Sequence, residues 1–204
     1  LDLTPCLLAR IFSRDITTWD HADIVAANPN LNVPANTPIK VVHRVKGSSS
    51  TSGTTEYLEN ACPGSWSLGS GSTITWPSDT YTAQGSGGMS SFIQSNEYAI
   101  GYIDAGHGHS LGLSEISLLN DDGVYLTSLQ ANVANAGTYA VDNSLIPTDP
   151  TADFSGVSLL NLPGASTWPI TMMTYIYLQK NMTAVDAEEA GLLHAFLKYI
   201  LSDE

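Results

Sequence analysis

An α/β fold follows from three features of the chain. Apolar residues at helical spacing alternate with short β-branched runs, turns rich in Gly, Ser and Pro separate them, and no internal repeat breaks the order. Residues 4–12 form the first predicted helix, with Leu7, Leu8, Ile11 and Phe12 on one face. A second helix at residues 21–27 follows Asp20 as its cap and stops at Asn28-Pro29-Asn30. The β-branched run 39–42 predicts a strand leading into a turn at Arg44, then a helix over 52–60 ended by Pro63-Gly64. A strand is expected at 72–76 after Gly69-Ser70-Gly71, a helix at 89–95 after the glycines of 85–88, and a buried strand at 98–103. Residues 126–136 read as a helix, 138–164 as a long connection rich in Pro, Ser and Asp, and 170–178 as an alternating strand. The last element, 187–201, is an amphipathic helix with Leu193, Phe196, Leu197 and Ile200 on one face.

The chain has 204 residues, 43% of them hydrophobic, enough for one sizeable core. Its net charge of −13 rests on only seven Lys and Arg, which excludes nucleic acid and anionic membrane surfaces as expected partners. Any bound anion must be held by short-range hydrogen bonds and dipoles, because salt screens distant charges within about 10 Å. No apolar run reaches the roughly 18 residues of a membrane span. The first residues lack a basic n-region and apolar core, so the chain is expected to begin after any leader. Abundant Thr, Ser, Asn and Gly with scarce Lys point to a secreted protein. Cys6 and Cys62 either pair as one disulfide, the reading an even count favours, or stand as two separately buried thiols. Asn181-Met182-Thr183 is an N-glycosylation sequon.

The stretch from Arg44 to Leu58 carries the chemistry. A cation, a turn of small hydroxyl-bearing residues and a helix start form a plausible oxyanion cradle, since the first N–H groups of a helix point outward with its positive dipole end behind them. Arg44 adds a two-pronged donor that suits phosphate or carboxylate oxygens. The alternative is a turn with a capped helix and nothing bound. No Gly-Lys-Ser/Thr closes a P-loop and no Gly-x-Ser-x-Gly elbow surrounds Ser48, Ser49 or Ser50. No base or metal cluster accompanies these serines, so an enzyme is not expected and no cofactor is called for. His107 and His109 form a His-x-His pair after a strand; two imidazoles lack an identified fourth ligand, and histidines bonded to backbone are the plainer reading. Trp19, Trp66, Trp76 and Trp168 are expected to pack in the core.

An ordered set of phrases resembles the phosphate-binding protein of bacterial ABC-type phosphate transporters across nearly the whole chain. The phrases are Leu8-Ala9-Arg10-Ile11-Phe12, Ile16-Thr17-Thr18-Trp19-Asp20, Asn28-Pro29, Val41-Val42-His43-Arg44 with the serine turn to Tyr57-Leu58, and Gly69-Ser70-Gly71-Ser72-Thr73-Ile74-Thr75-Trp76-Pro77. Gly87-Gly88-Met89, Ala99-Ile100-Gly101-Tyr102-Ile103-Asp104 and Trp168-Pro169-Ile170-Thr171 complete it. The resemblance implies a periplasmic-binding-protein-like lobe, a mixed β-sheet flanked by helices, in a two-lobed class that buries phosphate between lobes. It implies that residues 1–178 form that lobe and residues 179–204 return toward a first lobe with no counterpart here. Without a gap, Arg44 falls on the family's phosphate-pairing arginine and Ser48, Ser49 and Ser50 on its Ser-Gly-Thr turn; Gly47 and Lys46 complete the set. Lys46 departs from the family, which usually has Asp there, and Ser49 stands in place of Gly. The function implied is a secreted, cell-surface or periplasmic solute-binding module for inorganic phosphate or a related oxyanion, incomplete without another lobe or a neighbouring subunit. The alternative is a structural or adhesive extracellular assembly module that kept the fold and lost the ligand.

Overall fold

The computed structural model describes residues 1–179, 181–200 and 202. The chain divides into two compact units, Leu1–Met173 and Thr174–Glu204. The first unit carries every strand and six of the seven helices among the described residues.

It opens with β1 (Asp2–Leu3) and α1 (Pro5–Phe12). Thr4 caps α1, its Oγ1 accepting from the Leu7 N–H at 3.1 Å, and Pro5 sits in the first turn where its missing N–H is not needed. Next comes α2 (Ala22–Ala27), capped not by Asp20 but by His21, whose Nδ1 accepts from the Asp23 N–H at 3.3 Å. Asp20 instead accepts from the Asn36 N–H at 2.8 Å, which helps hold its carboxyl below the usual carboxylate range. The strand β2 (Lys40–Arg44) is followed by α3 (Ser49–Ala61), β3 (Tyr81–Ala83), α4 (Gly85–Ser95), β4 (Ala99–Ile100) and α5 (Ala105–Ser110). Both β3 and β4 pair with β2 in parallel, in the order β3-β2-β4. The chain continues through β5 (Ser117–Leu119), β6 (Tyr125–Leu126), α6 (Ala134–Asp142), β7 (Leu159–Leu160) and β8 (Ile170–Thr171). A mixed sheet, β1-β5-β6, joins a parallel pair to an antiparallel one, and β7 with β8 forms an antiparallel ribbon.

The main core unites α1, β2, α3 and β4: Leu3, Ile11, Ile16, Ile24, Val41, Tyr57 and Leu58 are wholly enclosed. Trp19 and Trp66 are buried in it, and Trp76 and Trp168 pack on it. A smaller core gathers Ala136, Ala140 and Leu159. Cys6 and Cys62 form a disulfide, their Cα atoms 5.2 Å apart, tying the first turn of α1 to the C-cap of α3.

Several expectations are corrected. Residues 72–76 are not a strand; their backbone region lies on α3, with the Ser72 carbonyl accepting from the Ser48 N–H and the Gly71 N–H donating to Thr55 Oγ1. The strand neighbouring β2 on that side is β3, which periodicity did not mark. The helix expected at 126–136 is displaced: Leu126 ends β6, and α6 begins only at Ala134 and runs on to Asp142, into the segment read as connection. The strand expected at 98–103 shrinks to Ala99–Ile100, Tyr98 adopting a left-handed φ of 64° before it. The strand expected at 170–178 ends at Thr171.

In the second unit, α7 (Ala187–Ile200) matches the expected helix, residue 201 lying outside the described residues. None of its described residues is buried: Leu192 is 73% and Phe196 54% exposed, against the core role its apolar face suggests. No described helix is long and apolar enough to cross a membrane.

Two tests of this packing follow. Replacing Cys6 and Cys62 with Ser removes a cross-link between residues 56 apart, so urea unfolding should show a loss of about 2–4 kcal/mol. A Cβ at Gly101 would stand 2.7 Å from Val42 Cγ1 and 3.1 Å from the Val42 carbonyl oxygen. Because the backbone of the central strand cannot retreat cheaply, Gly101→Ala should cost about 1–3 kcal/mol in the same assay.

Candidate functional site

The carboxyl ends of parallel strands converge where β2 passes into α3, a place where α/β folds commonly hold ligands. Ser48 is the N-cap of α3, its extended backbone (φ −152°, ψ 138°) turning the chain into the helix. Its Oγ accepts from the Ser50 N–H at 3.1 Å, and its own N–H donates to the Ser72 carbonyl at 3.0 Å. The helix therefore starts at Ser49, three residues before the expected 52, which places Ser49 and Ser50 in its first turn. Lys46, Gly47 and Ser49 are exposed, and Arg44, Ser48 and Ser50 half-buried. Nothing within the chain requires a glycine at 47: its φ is ordinary, and an added Cβ would meet Ser72 Oγ at a comfortable 3.5 Å.

Arg44 ends β2, opposite Ala83 of β3. Its N–H donates to Tyr102 Oη at 3.2 Å, and that hydroxyl also bonds Thr51 Oγ1 at 2.7 Å, with either oxygen as donor. Tyr102 thus links the segment after β4 to the end of β2 and the first turn of α3. Burial pushes its phenol pKa up, so it stays a neutral hydroxyl. The Arg44 Nε is buried without a hydrogen-bond partner in the protein. The described ion pairs join Arg10 to Asp23, Arg14 to Asp79, His21 to Asp23 and His109 to Glu115; Arg44 and Lys46 take part in none.

Behind Arg44, His43 is 8% exposed, stacked on Trp76 with ring centroids 4.8 Å apart. Its Nδ1 lies 3.1 Å from the Arg44 carbonyl oxygen, which only accepts, so Nδ1 carries the proton. Burial holds its pKa below 6.5, more than the bond to Arg44 raises it.

The His-x-His pair lies on the short helix α5 rather than in a loop. Asp104 caps α5, accepting from the His107 N–H at 3.0 Å, and takes a second bond from Ser86 Oγ at 2.8 Å. His109 Nε2 lies 2.9 Å from Glu115 Oε1 and 3.0 Å from Ser128 Oγ, and Ser128 also bonds Glu115. Burial raises the Glu115 pKa, but the bonds from Ser128 and His109 outweigh it and leave the carboxyl below its ordinary value. Serine and glutamate meet the same imidazole nitrogen, so these three residues are not a nucleophile–base–orienter relay. His107 does not share the contact, and no group of three or more described His, Cys, Asp or Glu is placed to hold a metal.

Sequence reasoning passed over Tyr102 and Thr51 as site-building residues. Nothing local marks them; only the placement of β4 beside β2 brings residue 102 to residues 44 and 51.

The whole chain, residues 1–204, matches the PBP superfamily domain, and the chain belongs to that family. It is 32% identical over 182 residues to the phosphate-binding protein PstS of Haemophilus influenzae, covering 88% of this chain and 52% of that one. It is 27% identical over 215 residues to PstS of Methanocaldococcus jannaschii, covering 100% and 54%. Among solved structures, a high affinity periplasmic phosphate-binding protein (PfluDING) bound with phosphate shares the fold, with a TM-score of 0.62 and 20% identity over 97% of this chain and 56% of that one. The chain spans about half the length of the curated relatives it matches.

The burial of His43 has a measurable consequence. A histidine whose folded pKa lies below 6.5 contributes stability that is present above about pH 6.5 and is lost as pH falls through the lower, folded value. The urea midpoint should decline over that window, and His43→Phe, which keeps a ring against Trp76, should flatten this part of the curve.

Proposed function

We propose that this chain supplies one side of a solute-binding site for inorganic phosphate or a related oxyanion, with Arg44, Lys46 and the Gly47 to Ser50 turn as its ligand groups. The observation that carries this reading is the buried Nε of Arg44, which no protein group satisfies, beside the start of a 13-residue helix. A guanidinium nitrogen left bare in the fold costs desolvation that a bound anion repays through a charge-assisted bond. The names of the relatives support the choice of phosphate. Residues 1–178 act as the lobe, and residues 179–204 return toward a complementary lobe or a neighbouring subunit that completes the site.

Secretion to the periplasm, the cell surface or the medium suits the Cys6–Cys62 disulfide, which persists in oxidising compartments. In a eukaryotic secretory pathway Asn181 would be the glycan acceptor; Thr183 Oγ1 already donates to its Oδ1 at 2.7 Å. A second reading, an extracellular assembly or adhesive module, is favoured by the side chains the second unit leaves in solvent, Tyr177 at 87% and Tyr199 at 74%.

Titration with phosphate, followed by amide chemical shifts, tests the first reading. Binding should perturb residues 44–51, and Arg44→Ala should weaken it by about 2–4 kcal/mol, as for removing one member of a buried charged pair. Unchanged affinity in that variant would take Arg44 out of the site.

A further inference from the structure

We infer that Tyr102 is a positioning residue of the oxyanion site: its hydroxyl sets Arg44 against the first turn of α3 by holding Arg44 and Thr51, without touching the anion. The inference rests on the oxyanion reading above and adds to it the residue that fixes the ligand groups relative to one another.

The main chain at the end of β2 needs an anchor. Pairing with β4 covers Lys40 and Val41, opposite Ala99 and Ile100. On the β3 flank the Val45 N–H donates to the Ala83 carbonyl at 3.0 Å, so a strand holds that edge beyond the last residue of β2. The Arg44 N–H is held differently, donating to the side chain of Tyr102 at 3.2 Å. The Arg44 carbonyl oxygen also meets a side chain, accepting from His43 Nδ1 at 3.1 Å. Main-chain groups inside a fold must find partners, and at Arg44 aromatic side chains supply both.

The two rings share one backing plate. Trp76 stacks on His43 with centroids 4.8 Å apart, and its centroid lies 6.1 Å from that of Tyr102 at an interplanar angle of 25°. Phe12 meets Tyr102 at 6.0 Å. Tyr102 is 8% exposed and Thr51 1%. A ring packed in this way resists displacement, so its hydroxyl cannot follow a moving partner. The oxygen is a fixed point, 3.2 Å from the Arg44 nitrogen and 2.7 Å from Thr51 Oγ1. Thr51 is the third residue of α3, directly after Ser49 and Ser50. One atom therefore spans the two halves of the proposed cradle, the cation at the end of a strand and the donors at the start of a helix. All three residues belong to the first unit, so the tie does not depend on what completes the site. Donors held in place before binding lose less freedom when the anion arrives, which raises affinity.

The experiment titrates the 204-residue chain and its variants with sodium phosphate, read from the amide shifts of residues 44–51. Tyr102→Phe and Thr51→Val each remove a hydroxyl and keep the shape of the side chain, and each should weaken binding about three- to tenfold. Combining them should cost no more than the larger single loss, because the two hydroxyls act as one link. Thr51→Ser keeps the hydroxyl and should bind within about twofold of the wild type. Tyr57→Phe is the control: its Oη is buried in the same core without a hydrogen-bond partner, so this change cuts no link and should leave affinity unaltered. Wild-type affinity in Tyr102→Phe, an equal loss in Tyr57→Phe, or additive losses in the combined variant overturns the inference while the oxyanion reading stands. Should Tyr102→Phe fail to fold, Thr51 decides: Thr51→Val binding as tightly as Thr51→Ser overturns it. Failure of phosphate to perturb residues 44–51 of the wild type at tens of millimolar overturns the oxyanion reading and this inference together.

Discussion

Parallel pairing of β2 on both of its edges is the constraint from which the arrangement around Arg44 follows. A strand with neighbours on either side cannot slide or tilt, so the residue at its carboxyl end is delivered to one place. In β2 that residue is Arg44, opposite Ala83 on one flank, with the segment after β4 on the other. The hydroxyl of Tyr102 then links all three elements through Arg44 and Thr51. Because the backbone N–H of Arg44 is used in that linkage while its Nε stays bare, the residue is held by its main chain and left reactive at its side chain. The fold supplies rigidity without consuming the donor.

Much of this was legible in the residues, and the reasons differ from element to element. The α1 helix announces itself by the apolar spacing of Leu7, Leu8, Ile11 and Phe12, which is local physics. The start of α3 was placed three residues late because a run of serines and threonines is a poor helix by propensity; here the packing of Thr51, Gly53, Thr54 and Thr55 against the core outweighs it. Residues 72–76 carry β-branched and aromatic side chains that suit a strand, yet their neighbour is a helix, and the ladder partner of β2 came instead from Tyr81–Ala83. Helix α6 was placed too early, at 126–136, because its alanines, buried at 136 and 140, give a weak apolar stripe for a close contact. Strands β1 and β5 are too short to have any period at all. At the site, residue identity revealed Arg44 and the serines, whereas Tyr102 required strand order, which no local pattern encodes.

The second unit separates propensity from packing. Helix α7 has the capping acid, the apolar spacing and the length of a stable helix, and Asp186 accepts from the N–H groups of both Glu188 and Glu189 at 2.9 Å. Its apolar side chains nevertheless stay in solvent. An isolated helix of this length is marginal in water, so the pattern describes a face made for contact.

The covalent tie at Cys62 gives α3 a mechanical character. The helix is anchored to α1 at its C-cap by the disulfide, while its other end is held through hydroxyl and main-chain hydrogen bonds at Ser48 and Thr51. At about 1.5 Å per residue, its 13 residues make a lever about 20 Å long with its pivot at the far end. A tilt of about 3° at that pivot displaces the serine end by about 1 Å, roughly the slack between a loose and a well-formed hydrogen bond. The stiff end of the helix is thus the one tied by the disulfide, and the adjustable end is the one that carries Ser48, Ser49 and Ser50.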